Sequence, residues 1–347
     1  MIALAEIFPS RWIIFLLAVL FFLALDLGIF HRQAHIVRFR EALAWTTMWF
    51  LLAMLFAWVL APQLIESWGR LQTDEFVTGY ILELSLSMDN VFVIALIFAY
   101  FRVPQKYQHR VLFWGIFGAL VMRGGMIWLG VELVRQFQWM LYVLGAFLIL
   151  TGIKMVFRRE EEVRPEKNLA IRLAQKLFPV SADFDGQRFF TTVMTRAELA
   201  PAEQFRVGNT AIFALGKGRK ALTPLALVLI MVETTDLIFA VDSIPAIFGV
   251  TRNPYVIFTS NVFAILGLRS LYFVLAGAIR YFRYLSIGLA VVLVFIGVKM
   301  LLDDTAYEIS TGVSLWIIAG IILVSIALSV LAARREARGK SVPRNPN

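Results

Sequence analysis

The chain has no cysteine. That alone excludes a disulfide framework, a thiolate metal site and a cysteine nucleophile. Histidine is scarce too: His31, His35 and His109 are the three, and none falls inside an apolar run long enough to cross a bilayer. Charge is thin. Only 16% of the 347 residues are Asp, Glu, Lys or Arg, where a soluble domain carries about 25%. In their place the chain is 60% hydrophobic, with a mean hydropathy of +0.76. A soluble fold of this length has no interior large enough for so much apolar surface, whereas a bilayer accepts it as helices of roughly 20 residues. The formal charge of +9 then reflects basic residues gathered in cytoplasmic loops, and no nucleic-acid partner is expected.

The expected fold is all-α: a polytopic membrane protein with about nine transmembrane helices. Apolar spans fall near 12–30, 42–62, 77–101, 111–131, 138–157, 222–249, 255–277, 284–302 and 313–333. The first begins after Glu6 and Arg11 and is long enough to cross, so it reads as a membrane helix and not as a removable signal. Arg32, Arg38, Arg40, Arg102, Lys106, Arg110, Arg280, Arg283, Arg334, Arg335, Arg338 and Lys340 crowd one set of loops. Glu66, Glu75, Asp303, Asp304 and Glu308 mark the other. The positive-inside rule places the N-terminus outside and the C-terminus in the cytoplasm.

The two halves resemble each other. Glu83 and Asp89 are separated by the same interval as Asp236 and Asp242. Ala119-Leu-Val-Met-Arg123 matches Ile265-Leu-Gly-Leu-Arg269, and Thr151-Gly-Ile-Lys-Met155 matches Ile296-Gly-Val-Lys-Met300. Three-helix units entering from opposite faces form an inverted three-plus-three repeat, a construction of secondary transporters with sites near the midplane. The chain then divides into two N-terminal helices (1–75), a first repeat (76–158), a cytoplasmic loop (159–221), a second, inverted repeat (222–302), and a last helix with its tail (303–347). The loop, polar and mixed in charge, is expected to be a solvated linker with a little helix.

Acidic side chains inside spans are the main functional signal. A charge at the centre of a membrane helix costs about 2.5–3.5 kcal/mol, so Glu83, Asp89, Glu233, Asp236 and Asp242, if ionised in lipid, would together exceed roughly 10 kcal/mol. They must meet one another around a cation, pair with a base, or take up protons. Glu83 and Asp89 lie about 240° apart on a straight helix, so an unwound or kinked segment is expected to bring them together, and Pro245 suits such a break beyond Asp242. Asn90, Ser85, Ser87, Thr234, Thr235 and Ser243 add short oxygen ligands. An all-oxygen site suits manganese, magnesium or calcium and disfavours zinc and copper. Arg123 and Arg269 are expected as structural counter-charges, Asp26 as an accessory ligand or a helix-end residue, and Lys154 and Lys299 as snorkelling helix-end residues.

Glu83-Leu-Ser-Leu-Ser-Met-Asp89-Asn90-Val-Phe-Val, Glu233-Thr-Thr-Asp-Leu-Ile-Phe-Ala-Val-Asp-Ser-Ile-Pro-Ala-Ile-Phe248 and Phe258-Thr-Ser-Asn-Val-Phe-Ala-Ile-Leu-Gly-Leu-Arg-Ser-Leu-Tyr-Phe273 resemble three signatures of the TerC family. Asp26-Leu-Gly-Ile-Phe-His-Arg-Gln-Ala-His35 is similar to the end of its first helix. The likeness covers nearly the whole chain outside the central loop and tail, and is greatest to the Alx-like branch. It implies a bacterial inner-membrane protein connected with manganese export and tellurite resistance, and kinship with cation exporters built on inverted three-helix repeats. By that resemblance Glu83, Asp89, Asn90, Glu233, Asp236 and Asp242 are the cation-site candidates. Leu84 stands where relatives often have lysine, and the loop around Thr191–Arg206 is longer than in close relatives.

The expected function is therefore export of a divalent cation, Mn²⁺ by resemblance, in exchange for protons at the same carboxylates. Its partners are the bilayer and the ion. No cofactor, no catalytic residue and no named protein partner is expected. An intramembrane aspartyl protease is disfavoured, because Met88 and Val241 precede the aspartates where such enzymes carry Gly-x-Gly-Asp. The alternative is a non-transporting membrane component of a metal or tellurite stress-resistance complex.

Overall fold

The computed structural model describes residues 9–25, 39–157, 168–181, 183–193, 205–207, 210–213, 219–276, 284–303, 305, 307 and 309–340. Asp26, the basic and acidic run 158–162, Arg280, Arg283, Asp304 and Glu308 lie outside them. The helices are α1 (Pro9–Leu25), α2 (Phe39–Leu55), α3 (Ala61–Leu64), α4 (Arg70–Tyr100), α5 (Gln105–Gln136), α6 (Met140–Phe157), α7 (Leu169–Leu177), α8 (Pro224–Phe248), α9 (Pro254–Ala276), α10 (Leu285–Leu302) and α11 (Thr311–Lys340). Among the described residues eight helical stretches are long and apolar enough to cross a membrane, and they coincide with the second to ninth expected spans. The described part of the first is shorter, with an apolar stretch at Trp12–Phe22. The chain is an all-α, multi-pass integral membrane protein.

The chain falls into two compact units: Met1–Val37, Leu96–Gly118 and Val163–Thr234 form one; Arg38–Ala95, Ala119–Glu162 and Thr235–Asn347 form the other. The first corrects the expectation of a linker at 159–221. Five short strands, β1 (Val180–Ser181), β2 (Phe190–Val193), β3 (Phe205–Val207), β4 (Thr210–Phe213) and β5 (Arg219–Leu222), form a sheet in the order β2-β5-β1-β4-β3. β1 runs parallel to β4 and β5; β2–β5 and β3–β4 are antiparallel. Strands of two to four residues are too short to show an alternating pattern. What stabilises them is non-local: Val180, Leu222, Ala226 and Leu227 share a small core with Phe101, Ala174 and Phe189. Asn168 caps α7 by accepting from the N–H groups of Ala170 (2.9 Å) and Ile171 (3.1 Å).

In the second unit, α2 continues to α3 through a π-helical stretch, Phe56–Leu60. Pro62 explains it, because proline offers no N–H to the preceding turn. The Ala57 carbonyl accepts instead from the Trp68 indole and the Thr73 hydroxyl, both at 3.2 Å. Trp68 is thereby pinned among Phe56, Phe76 and Tyr255.

α6 and α10 approach at three glycines, Gly145, Gly152 and Gly297. A Cβ at Gly152 would lie 2.7 Å from the Ala290 carbonyl and 3.2 Å from the Val294 nitrogen; one at Gly297 would lie 2.6 Å from the Gly145 carbonyl and 3.1 Å from the Ile149 nitrogen. Each glycine thus meets the residues seven and three before its counterpart. The helices run antiparallel, and their close contacts are reciprocal. Backbone cannot yield to a methyl group, so Gly297→Ala is expected to lower stability by about 1–3 kcal/mol. Thermal melting of the purified protein in detergent measures it, and a wild-type midpoint would contradict so close a crossing.

Candidate functional site

α4 is one unbroken helix of 31 residues through Glu83 and Asp89. α8 likewise continues through Pro245, whose missing N–H costs the helix one backbone bond without ending it before Phe248. The expected unwinding does not occur in either helix, and Glu83 and Asp89 keep different faces and different partners.

Glu83 meets Arg123 of α5. Both side chains are buried, 1% and 2% exposed. The guanidinium donates through Nη1 to Glu83 Oε1. Its other edge forms a fork with Asp236 of α8, Nη2 to Oδ1 at 2.9 Å and Nε to Oδ2 at 3.1 Å. This two-point match of planar groups is what arginine provides and lysine does not. Nη1 also reaches Ser243 Oγ at 3.4 Å, and Asn90 Nδ2 stands 3.5 Å from Asp236 Oδ1. Glu83 Oε2 is buried with no hydrogen-bond partner among the described residues. Two carboxylates thus share one guanidinium. Arg123 is the counter-charge the sequence suggested, and Glu83 and Asp236, both read as ion ligands, are engaged by it.

Asp89 faces elsewhere. It is half-buried and accepts a hydrogen bond from Ser286 Oγ of α10 at 3.0 Å. Its partner among the described residues is a neutral hydroxyl, which leaves its charge available to a cation. Asp242 is half-buried on α8. Among the described residues no three acidic or histidine side chains gather closely enough to form a ready metal cage.

Glu233 belongs to the first unit, where it is half-buried. A Cβ on Gly118 of α5 would collide with its carboxylate, so glycine at 118 makes the room it occupies. Thr234 and Ser85 turn their hydroxyls to their own helices, donating to the Ile230 (2.5 Å) and Ile81 (2.7 Å) carbonyls. Lys154 is exposed as expected, but Lys299 does not snorkel: it is 5% exposed and donates to the Gly249 carbonyl at 3.0 Å. The carbonyl-rich C-terminal end of α8 supplies the acceptor that makes burial of the ammonium tolerable.

Two residues escaped the sequence reading. Ser286 sits just inside α10 with no motif to mark it. Asn261 of α9 is 1% exposed, and neither its side-chain oxygen nor its nitrogen has a hydrogen-bond partner among the described residues. Close approaches of Ser260 to Gly79 and of Phe258 to Gly124 set this stretch beside α4 and beside the neighbour of Arg123. A family signature contained Asn261, but only packing shows its buried carboxamide.

A family profile described as "Integral membrane protein TerC family" matches residues 68–340. An "Uncharacterized membrane protein STKORF319" of Myxococcus xanthus is 44% identical over 330 residues, 94% of this chain and 93% of that one. A "Putative membrane-bound redox modulator Alx" of Escherichia coli K12 is 41% identical over 326 residues, 92% of this chain and 94% of that one. The protein of the same name from Photorhabdus laumondii is 39% identical over 334 residues, 95% and 97% of the two chains. No solved structure matches the chain significantly.

Proposed function

Since this chain belongs to the TerC family of integral membrane proteins, we propose that it is a secondary transporter exporting a divalent cation, Mn²⁺, across the bacterial inner membrane. The observation that carries this reading is Asp89: a carboxylate within a membrane-spanning helix, held by the neutral Ser286 hydroxyl at 3.0 Å. Intramembrane acids are expensive and mark ion paths. Asp242 is its counterpart on α8, and Glu83, Asn90, Asp236 and Glu233 complete the set of candidate ligands. With no cysteine in the chain and oxygen donors only, the set suits a hard cation. Proton exchange at the same carboxylates supplies the coupling, and the N-terminus lies outside. The reciprocal α6–α10 crossing supports the repeat on which such transporters are built. The ion is transported cargo; no resident cofactor and no catalytic step is invoked.

The second reading, a non-transporting component of a metal or tellurite stress complex, is favoured by the lack of a ready cage among the described residues. The name redox modulator, borne by two of these relatives, fits either reading. A chain without cysteine has no thiol chemistry of its own, whereas moving a redox-active metal alters redox balance indirectly. The test is purified protein in Mn²⁺-loaded liposomes. Efflux that responds to an imposed proton gradient is expected; no movement under a gradient of either sign would sink the exporter reading.

A further inference from the structure

A carrier that returns without its metal ion, with protons on only some of its carboxylates, must still balance the remaining charges of the site. We propose that the Arg123 guanidinium stands in for the transported cation in the ion-free protein, and that the arriving ion competes with it for Glu83 and Asp236. The inference rests on the exporter reading above.

Three observations carry it. Arg123 is placed where a cation would serve, with Asp236 on its fork at 2.9 and 3.1 Å and Glu83 on its remaining edge. It satisfies these groups incompletely: Glu83 Oε2, in a side chain 1% exposed, has no hydrogen-bond partner among the described residues, so oxygen capacity remains for an ion. Finally, the network touches the residues that follow both candidate aspartates. Ser243, after Asp242, lies 3.4 Å from Nη1, and Asn90, after Asp89, lies 3.5 Å from Asp236. An ion settling on Asp89 or Asp242 therefore lands one residue from the guanidinium's own contacts.

Arginine keeps its charge throughout. A divalent ion brings two charges to carboxylates that the guanidinium serves with one, so it displaces the side chain by differential affinity. When the ion leaves, the tethered guanidinium falls back, and two buried carboxylates are never left bare. The chain thereby carries its own substitute cargo for the return step.

The test compares two modes of Mn²⁺ movement in proteoliposomes of the full chain. Net efflux requires the empty carrier to return; exchange of labelled for unlabelled Mn²⁺ does not. Arg123→Gln is expected to slow net efflux by about ten-fold or more while exchange stays within about three-fold of wild type. Arg123→Lys, which keeps a charge but loses the fork, is expected to retain net efflux within about three-fold and to lower the half-saturating Mn²⁺ for exchange by about three-fold, because the competitor is weaker. Loss of both modes together in Arg123→Gln, or of neither, overturns the proposal. So does an unchanged or raised half-saturation in Arg123→Lys, which decides the matter if Arg123→Gln does not reach the membrane. A wild type that neither exports nor exchanges Mn²⁺ overturns the exporter reading and this inference with it.

Discussion

Cells stressed with Mn²⁺ are expected to hold less manganese when they carry this chain than when they carry Asp89→Asn or Asp242→Asn at the same membrane level. Asp89 is the informative position. Among the described residues its hydrogen bond comes from a neutral hydroxyl, so the asparagine variant preserves shape and that bond and removes only charge. Divalent affinity depends strongly on the number of charged ligands, and losing about 1.4 kcal/mol of binding is already ten-fold. Export by Asp89→Asn is therefore expected to fall about ten-fold or more, leaving cell manganese near that of cells lacking the protein. Ser286→Ala removes only a neutral partner, worth about 1 kcal/mol, so its export should stay within a few-fold of wild type. If Asp89→Asn and Asp242→Asn both keep manganese as low as wild type does, these carboxylates are not the transport site.

The largest effect on stability is expected at Asp236. Asp236→Leu leaves the buried Arg123 with Glu83 alone and strips both ends of its fork. Breaking one side of a buried ion pair costs about 3–5 kcal/mol, because the remaining charge has lost its compensation. Replacing the whole set, Glu83→Met with Arg123→Met and Asp236→Leu, is expected to recover most of that loss, since apolar substitutes carry no desolvation penalty. Thermal unfolding in detergent reads both variants. The triple variant should melt near wild type yet transport nothing, whereas Asp89→Asn should also melt near wild type because its partner is a hydroxyl. A triple variant less stable than Asp236→Leu alone would mean that the cluster is held by packing the ion pairs do not report.

The pairing of Glu83 with Asp236 through Arg123 shows where sequence reasoning stopped. Matched acids in two distant segments, each followed by a helix with an arginine, were visible as repeated spacing. That an arginine of the first half bridges acids of both halves was not, because spacing along a chain carries no information about which faces meet. The converse error came from Pro245. A proline inside a span suggests a break, but it removes only one backbone donor, and the buried residues around it, Ser243 to Phe248, hold the turn. Lys299 followed the same pattern: its place at a helix end predicted solvent, and the neighbouring C-terminus of α8 offered a carbonyl instead.

What the sequence determined alone is the class of molecule and the elements that cross the membrane. Hydrophobicity over a bilayer-length window is a local, additive property, and of the nine spans it marked, eight recur among the described residues as helices long and apolar enough to cross a membrane. The same additivity made the intramembrane acids conspicuous. The tertiary structure alone decided that Glu83 and Asp236 share Arg123 while Asp89 rests on Ser286, that the segment near 180–222 folds into a small sheet, and that Asn261 keeps a buried carboxamide. Those are contacts between residues far apart along the chain. They depend on helix rotation and strand order, set by the sum of many packing interactions and written in no single stretch of sequence.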